Sequence, residues 1–233
     1  MQLSGFAFID LLWIRRRLRK GMNDMEEELL FRVVFIVTYG FFFVVRAYFR
    51  IYKFYKDRKE STQIVARDEP TEYGKLAKTG MAVIILGYLI SAIVYVLIPE
   101  YVVWAQFPVP ALVRWAGCAL AMMTIPLLAW IHITLGKHFS PDLVMKDNHM
   151  IVTSGPYSRV RHPMYTVLIT FSIGVSIISA NLLLIAFSVL LVMLFPFLAR
   201  QEEQMLLDGL GEEYSQYMER TGRFFPRLRH KEK

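Results

Sequence analysis

Met164 to Leu198 is a run of 35 residues without a single aspartate, glutamate, lysine or arginine. One helix spends only about 20 residues on a hydrocarbon core about 30 Å thick, so a run of this length has to turn back on itself. Its polar break is Ser179-Ala180-Asn181. The spacing therefore predicts a tight helical hairpin of two spans, residues 164–198, with the turn at one membrane surface and both ends at the other. Whatever flanks the run on its two sides is then brought together.

Three further spans are expected upstream: Leu29 to Phe49, Gly80 to Ile98 and Ala111 to Leu135, the last with a kink at Pro126. The hydrophobic share of 55% and the mean hydropathy of +0.37 agree with several spans rather than a soluble core. The fold class is thus an all-α, polytopic integral membrane protein of about five transmembrane helices. Three stretches organise it: an amphipathic, juxtamembrane segment over residues 1–28, helices 1–3 over residues 29–135, and residues 136–233 with the hairpin.

The net charge of +7 lies between apolar runs and not along one soluble face, which points to anionic lipid and away from nucleic acid. Loops 50–79 and 136–162 and the C-terminal tail are basic, while the link from Pro99 to Pro110 has no lysine or arginine. The positive-inside rule puts the basic loops and the C-terminus in the cytoplasm and the link outside. The cluster Arg15, Arg16, Arg17, Arg19 and Lys20 opposes this count. It follows the apolar Phe6–Ile14 instead of preceding it, so it is no signal peptide and suits an interfacial helix. Cys118 is the only cysteine, which excludes an intrachain disulfide and a thiolate zinc centre; the histidines lack ligand spacing, and no metal is expected.

Two polar clusters flank the hairpin. Before it, Gly155-Pro156 signals a turn, and Pro163 suits the first position of a helix, leaving Arg159, Arg161 and His162 beside free backbone N–H groups that favour an anion. After it come Arg200, Glu202 and Glu203. If the last span continues as helix beyond the membrane, Leu198, Glu202 and Leu206 share a face and Glu202 projects back toward the hairpin. Arg161-His162 and Glu202-Glu203 become neighbours, and the alternatives there are a functional site or an ion pair tying loop to tail.

These residues also resemble a family. His149-x-Ile151-Val152, Gly155, Tyr157, Arg161-His162-Pro163-Met164-Tyr165, Glu202-Glu203, Gly211-Glu212-Glu213-Tyr214-x-x-Tyr217 and the closing Thr221-Gly222-Arg223-Phe224-Phe225-Pro226 are similar to the isoprenylcysteine carboxyl methyltransferases, across about residues 130–228. The related phospholipid N-methyltransferases share the signature. The resemblance implies an integral membrane methyltransferase that takes S-adenosyl-L-methionine from the cytoplasm and a lipidic or prenylated acceptor from the bilayer. It implies a cofactor pocket of His149, Met150, Ile151, Val152, Tyr157, His162, Pro163, Met164, Tyr165 and Glu202, with Arg161, Glu202 and Glu203 as catalytic candidates. Family members acting on prenylcysteine carry arginine four residues before the glutamate; here that position is Leu198, with Arg200 nearby, so both are acceptor-side candidates and a neutral amine or thiol acceptor gains ground. A sterol-type, NADPH-dependent membrane reductase is the competing enzyme class, since its C-terminal part resembles the same hairpin. A non-catalytic protein retaining the fold is the third reading.

Overall fold

A computed structural model of the chain describes residues 4–59, 72–135 and 151–227. Its helices are α1 (Ser4–Lys59), α2 (Glu72–Leu97), α3 (Ala111–Leu135), α4 (Pro163–Ser179), α5 (Leu182–Leu210) and α6 (Glu212–Arg220). Short 3₁₀ turns lie at Pro99–Tyr101, Val103–Ala105 and Gly155–Ser158. Among the described residues there are two isolated bridges and no strand, so the fold is all-α.

Among the described residues, four stretches are long and apolar enough to cross a membrane: Met22–Tyr52, Thr79–Leu97, Ala111–Leu135 and Leu182–Leu210. The fifth expected span, α4, has 17 residues and measures about 25 Å at 1.5 Å per residue, a little short of the hydrocarbon core. Two boundaries differ from the sequence reading. α1 runs unbroken for 56 residues, so the N-terminal segment and the first span are one helix rather than an interfacial helix followed by a span. No proline interrupts it, and Gly21 alone costs too little to break it. α5 continues well past Leu198, carrying Glu202 and Glu203 on helix as the face argument requires.

The hairpin turn falls where its polar residues predict. Ala180 takes the left-handed conformation at φ 48°, and Asn181 caps α5 by accepting from the Leu183 N–H at 3.0 Å. An alanine in that conformation is strained by about 1–2 kcal/mol, and the surroundings hold it there. The Phe107 N–H donates to the Ala180 carbonyl at 3.2 Å, and Asn181 faces the Val102 carbonyl at 3.5 Å. Ser179, Ala180 and Asn181 are therefore buried beneath the link from α2 to α3 and do not form an exposed tip at the surface. Tyr101 and Trp104 of that link are exposed, as interfacial anchors are.

α3 and α4 pack most closely. A Cβ on Gly117 would meet the Gly174 carbonyl oxygen at 2.8 Å, and one on Gly174 would meet the Ala121 nitrogen at 2.8 Å. Small residues four apart let the two backbones approach, as membrane helices do where lipid supplies no hydrophobic drive. α5 joins through Ser188, which bonds the Ser176 hydroxyl at 2.8 Å and the Ser172 carbonyl at 3.0 Å. α2 closes on α5 by seating the Phe187 ring against Gly87. Phe42 of α1 stacks on Phe171 of α4, centroids 3.7 Å apart.

Candidate active site

The hairpin returns the start of α4 and the end of α5 to one end of the bundle, and the C-terminal tail completes the site. Val160 and Gly222 form a parallel bridge: the Gly222 N–H donates to the Arg159 carbonyl at 3.0 Å, Arg161 N–H to Gly222 at 2.8 Å and His162 N–H to Arg223 at 3.0 Å. Backbone pairing thus fixes Arg161 and His162 against the tail before any side chain is considered. Thr166 adds a bond to the Phe224 carbonyl at 2.9 Å, and the Tyr217 hydroxyl bonds the Tyr157 carbonyl at 2.7 Å.

Two carboxylates, adjacent in sequence, meet different surroundings. Glu203 is buried. Its Oε1 accepts from Arg161 Nε at 2.8 Å and lies 3.2 Å from His162 Nε2, and Arg223 binds both of its oxygens. Arg161 also donates to the Met218 carbonyl at 3.0 Å and to the Thr221 carbonyl. This cluster is closed on itself: loop, last span and tail are locked by one carboxylate. Of the two alternatives for Arg161 and Glu203, the geometry is that of the ion pair.

Glu202 is different. Its Oε2 accepts from the Tyr165 hydroxyl at 3.1 Å and lies 3.3 Å from His162 Nδ1, its side chain is 32% exposed, and its Oε1 meets no donor among the described residues. His162 sits between the two carboxylates. Burial disfavours its imidazolium, but the bonds to Glu202 and Glu203 outweigh that and raise its pKa above the usual value. The His162 ring stacks on Tyr165 at 5.4 Å, and Tyr165 stacks on Phe195 of α5 at 4.8 Å. Pro163 is the first residue of α4, as its missing N–H allows. Burial, and then the charge of Glu202, pushes the Tyr157 phenol pKa up and keeps it neutral.

Most of the expected pocket residues lie along this rim. Ile151, Val152 and Tyr157 are half-buried on the approach to α4, and Met164 packs against Arg46 of α1, whose Nη1 is 3.9 Å from the thioether sulfur. His149 and Met150 lie outside the described residues. Leu198 is buried in the apolar core one turn below Glu202, while Arg200 is exposed and away from it. The sequence reading missed Arg223 as a third partner of Glu203. Gly222 was the available signal, because a Cβ there would run into the Phe225 carbonyl, so the bend that delivers Arg223 demands glycine.

The profile of the isoprenylcysteine carboxyl methyltransferase (ICMT) family matches residues 115–208, from α3 to the end of α5. Among curated proteins, the cobalt-zinc-cadmium resistance protein CzcN of Cupriavidus metallidurans is 30% identical over 49% of this chain and 55% of its own length. The protein-S-isoprenylcysteine O-methyltransferase of Tribolium castaneum is 36% identical over 40% of this chain and 34% of its own length. A protein of the same name from Arabidopsis thaliana, form B, is 31% identical over 38% of this chain and 47% of its own length. The chain thus spans about half or less of these relatives. A solved structure titled as the eukaryotic intramembrane Ras methyltransferase ICMT superposes with TM-score 0.50 at 22% identity, covering 83% of this chain and 67% of that one, which is a likeness of fold.

Proposed function

We propose that this chain, whose residues 115–208 match the isoprenylcysteine carboxyl methyltransferase family, is a membrane methyltransferase of that kind. It uses S-adenosyl-L-methionine and a lipidic or hydrophobic acceptor drawn from the bilayer. The observation that carries the reading is Glu202, a carboxylate with one oxygen fixed by Tyr165 and His162 and the other left to accept among the described residues. A free acceptor of this kind suits the ammonium or the ribose hydroxyls of the cofactor. The aromatic faces of Tyr157 and Tyr165 suit its sulfonium by cation–π attraction.

When bound, the cofactor supplies an electrophilic methyl group. The protein's own part is alignment and exclusion of water, and alignment alone can be worth roughly 7–11 kcal/mol. On this reading Ile151, Val152, Tyr157, His162, Pro163, Met164, Tyr165 and Glu202 orient it. His149 and Met150 are assigned to the same pocket by the family signature alone. Arg161 and Glu203 act as positioning residues, since Nε and Nη1 of Arg161 and both oxygens of Glu203 are engaged with each other, with His162 and with the tail. The rim faces the cytoplasm on this reading, because Arg159, Arg161, Arg220 and Arg223 belong to the loop and tail that form it and the positive-inside rule puts such cations inside.

Among the described residues, neither the position four before Glu202 nor its neighbours offer a free cation, which leaves Arg46 of α1, beside Met164, as a guanidinium near the rim without a carboxylate partner. Leu198 packs in apolar surroundings, Arg200 is exposed and Arg161 is already paired. An unpaired acceptor carboxylate near bilayer depth costs several kcal/mol, so a prenylcysteine carboxylate would have to be met by Arg46, whereas a neutral amine or thiol makes no such demand.

Binding of S-adenosylhomocysteine and of NADPH to the detergent-purified protein tests the assignment. The expectation is binding of the first alone, and its loss in Glu202→Gln with the helix content unchanged. NADPH binding in its place would move the chain to the reductase reading.

A further inference from the structure

At the opposite end of the bundle from Glu202, three helices bring four polar side chains into one corner. Glu28 of α1 gives both carboxylate oxygens to Arg114 of α3, at 2.5 and 3.3 Å. Arg114 is buried, donates its Nε to the Ile178 carbonyl of α4 at 2.8 Å, and covers the Phe31 ring at 4.1 Å. One turn further along α1, Arg32 lies over the ring of Tyr95 of α2, 5.7 Å from its centroid. Arg32 has no carboxylate within reach among the described residues, and its buried Nε has no hydrogen-bond partner. The Tyr95 side chain is 0% exposed, and its hydroxyl is also unpartnered. Arg114 approaches that hydroxyl without making a bond of ordinary geometry.

The corner thus holds two guanidinium groups against one carboxylate, with an N–H and an O–H donor unused. A buried group left unpaired is costly, and one anion would cancel the charge and accept both donors. Depth says which anion. Tyr95 lies two residues before the end of α2, just inside the exposed Tyr101 and Trp104, and aromatic residues of that kind mark the headgroup level. The Arg32 stem is long enough to carry its head to that level. Val33, Ile36, Ile93 and Leu97 expose apolar surface on α1 and α2 around the corner, which suits acyl chains and not a free anion in water. α1 and α2 meet here through the large side chains Phe35, Tyr39, Tyr88 and Tyr95.

We propose that Arg32 and Tyr95 bind the phosphodiester of a single phospholipid, in the leaflet opposite the candidate active site. The site is independent of the methyl-transfer reading. The test is native mass spectrometry of the full chain released from detergent, titrated with dioleoyl phosphatidylglycerol, with dioleoyl phosphatidylcholine and with phosphate-free dioleoylglycerol. Wild type should retain one phospholipid per chain and no dioleoylglycerol. Arg32→Gln should lower occupancy about tenfold or more, as loss of a charge-assisted bond does. Tyr95→Phe should lower it by less, and Arg50→Gln, at the far end of α1, should leave it unchanged. Equal occupancy in wild type and Arg32→Gln, or equal retention of dioleoylglycerol, overturns the proposal. So does thermal stabilisation by inorganic phosphate alone to the same extent as by lipid, since that would assign the corner to a free anion. Should Arg32→Gln not yield folded protein, Tyr95→Phe decides, because it removes one hydroxyl and its occupancy must fall.

Discussion

Replacing Glu203 with alanine separates the lock from the pocket, and the structure sets the size of the effect. Glu203 is buried and holds Arg161, whose side chain is only 9% exposed, together with His162 and Arg223. Removing one partner of a buried ion pair costs about 3–5 kcal/mol, because the other charge is left stranded. Arg223 is more exposed and can turn to water, so its share resembles that of a surface pair, about 0–1 kcal/mol. At 1.36 kcal/mol per decade, the loss at Arg161 alone loosens docking of the tail by roughly 10²- to several 10³-fold. Hydrogen exchange over residues 212–224 and trypsin cleavage after Arg220 and Arg223 report that equilibrium. The expectation is fast exchange and cleavage in Glu203→Ala, with α4 and the hairpin still protected. Glu202→Gln should leave the tail protected. Unchanged tail protection in Glu203→Ala would refute the view that this carboxylate is what ties loop, span and tail together.

Gly222→Ala should release the tail by another route, since its Cβ would collide with the Phe225 carbonyl; the same exchange measurement reads it. His162 has a folded-state pKa raised above its unfolded value, so its contribution to stability is complete below the usual imidazole pKa and is lost as pH rises through the folded value. Thermal unfolding followed from pH 6 to pH 9 should show this decline in wild type and not in His162→Gln. Leu198→Arg would put a guanidinium one turn below Glu202, and a charge-assisted bond to an acceptor carboxylate is worth roughly 1.5–3 kcal/mol. Methylation of a prenylcysteine analogue should therefore rise about tenfold or more, and unmodified protein that already turns it over efficiently would contradict the argument from Leu198.

What the sequence made legible was set by local rules. The 35 uncharged residues force a hairpin, the Ser179-Ala180-Asn181 break falls at the αL residue and cap, and helix continuation places Glu202 back over Tyr165. The approach of Arg161-His162 to Glu202-Glu203 follows from that topology alone. What stayed hidden depended on partners distant in the chain. Glu28 reads as one of three juxtamembrane acids, and nothing near it announces Arg114, 86 residues on. Arg223 lies in a basic tail that reads as solvated, and only the backbone bridge at Val160 and Gly222 turns it inward. The covering of the Ser179–Asn181 turn was equally out of reach, because hydropathy does not say whether a polar turn meets water or the carbonyls of a neighbouring link.

The glycine contact between α3 and α4 also divides the molecule in heritable terms. Backbone-to-backbone packing at Gly117, Gly174 and Ala121 tolerates almost no change of side chain, and all three positions fall inside the stretch that matches the family. α1 and α2 lie outside that stretch and join the rest mostly through side chains: Phe42 on Phe171, Glu28 with Arg114, and Phe187 seated against Gly87. Ring contacts can be redrawn by compensating substitutions, whereas a glycine seam cannot. The chain thus combines a backbone-packed frame, α3 to α5, with two walls held mostly by side chains, which admit more substitution without disturbing the end that holds Glu202. Mutational libraries confined to α1 and α2 would sample that freedom directly.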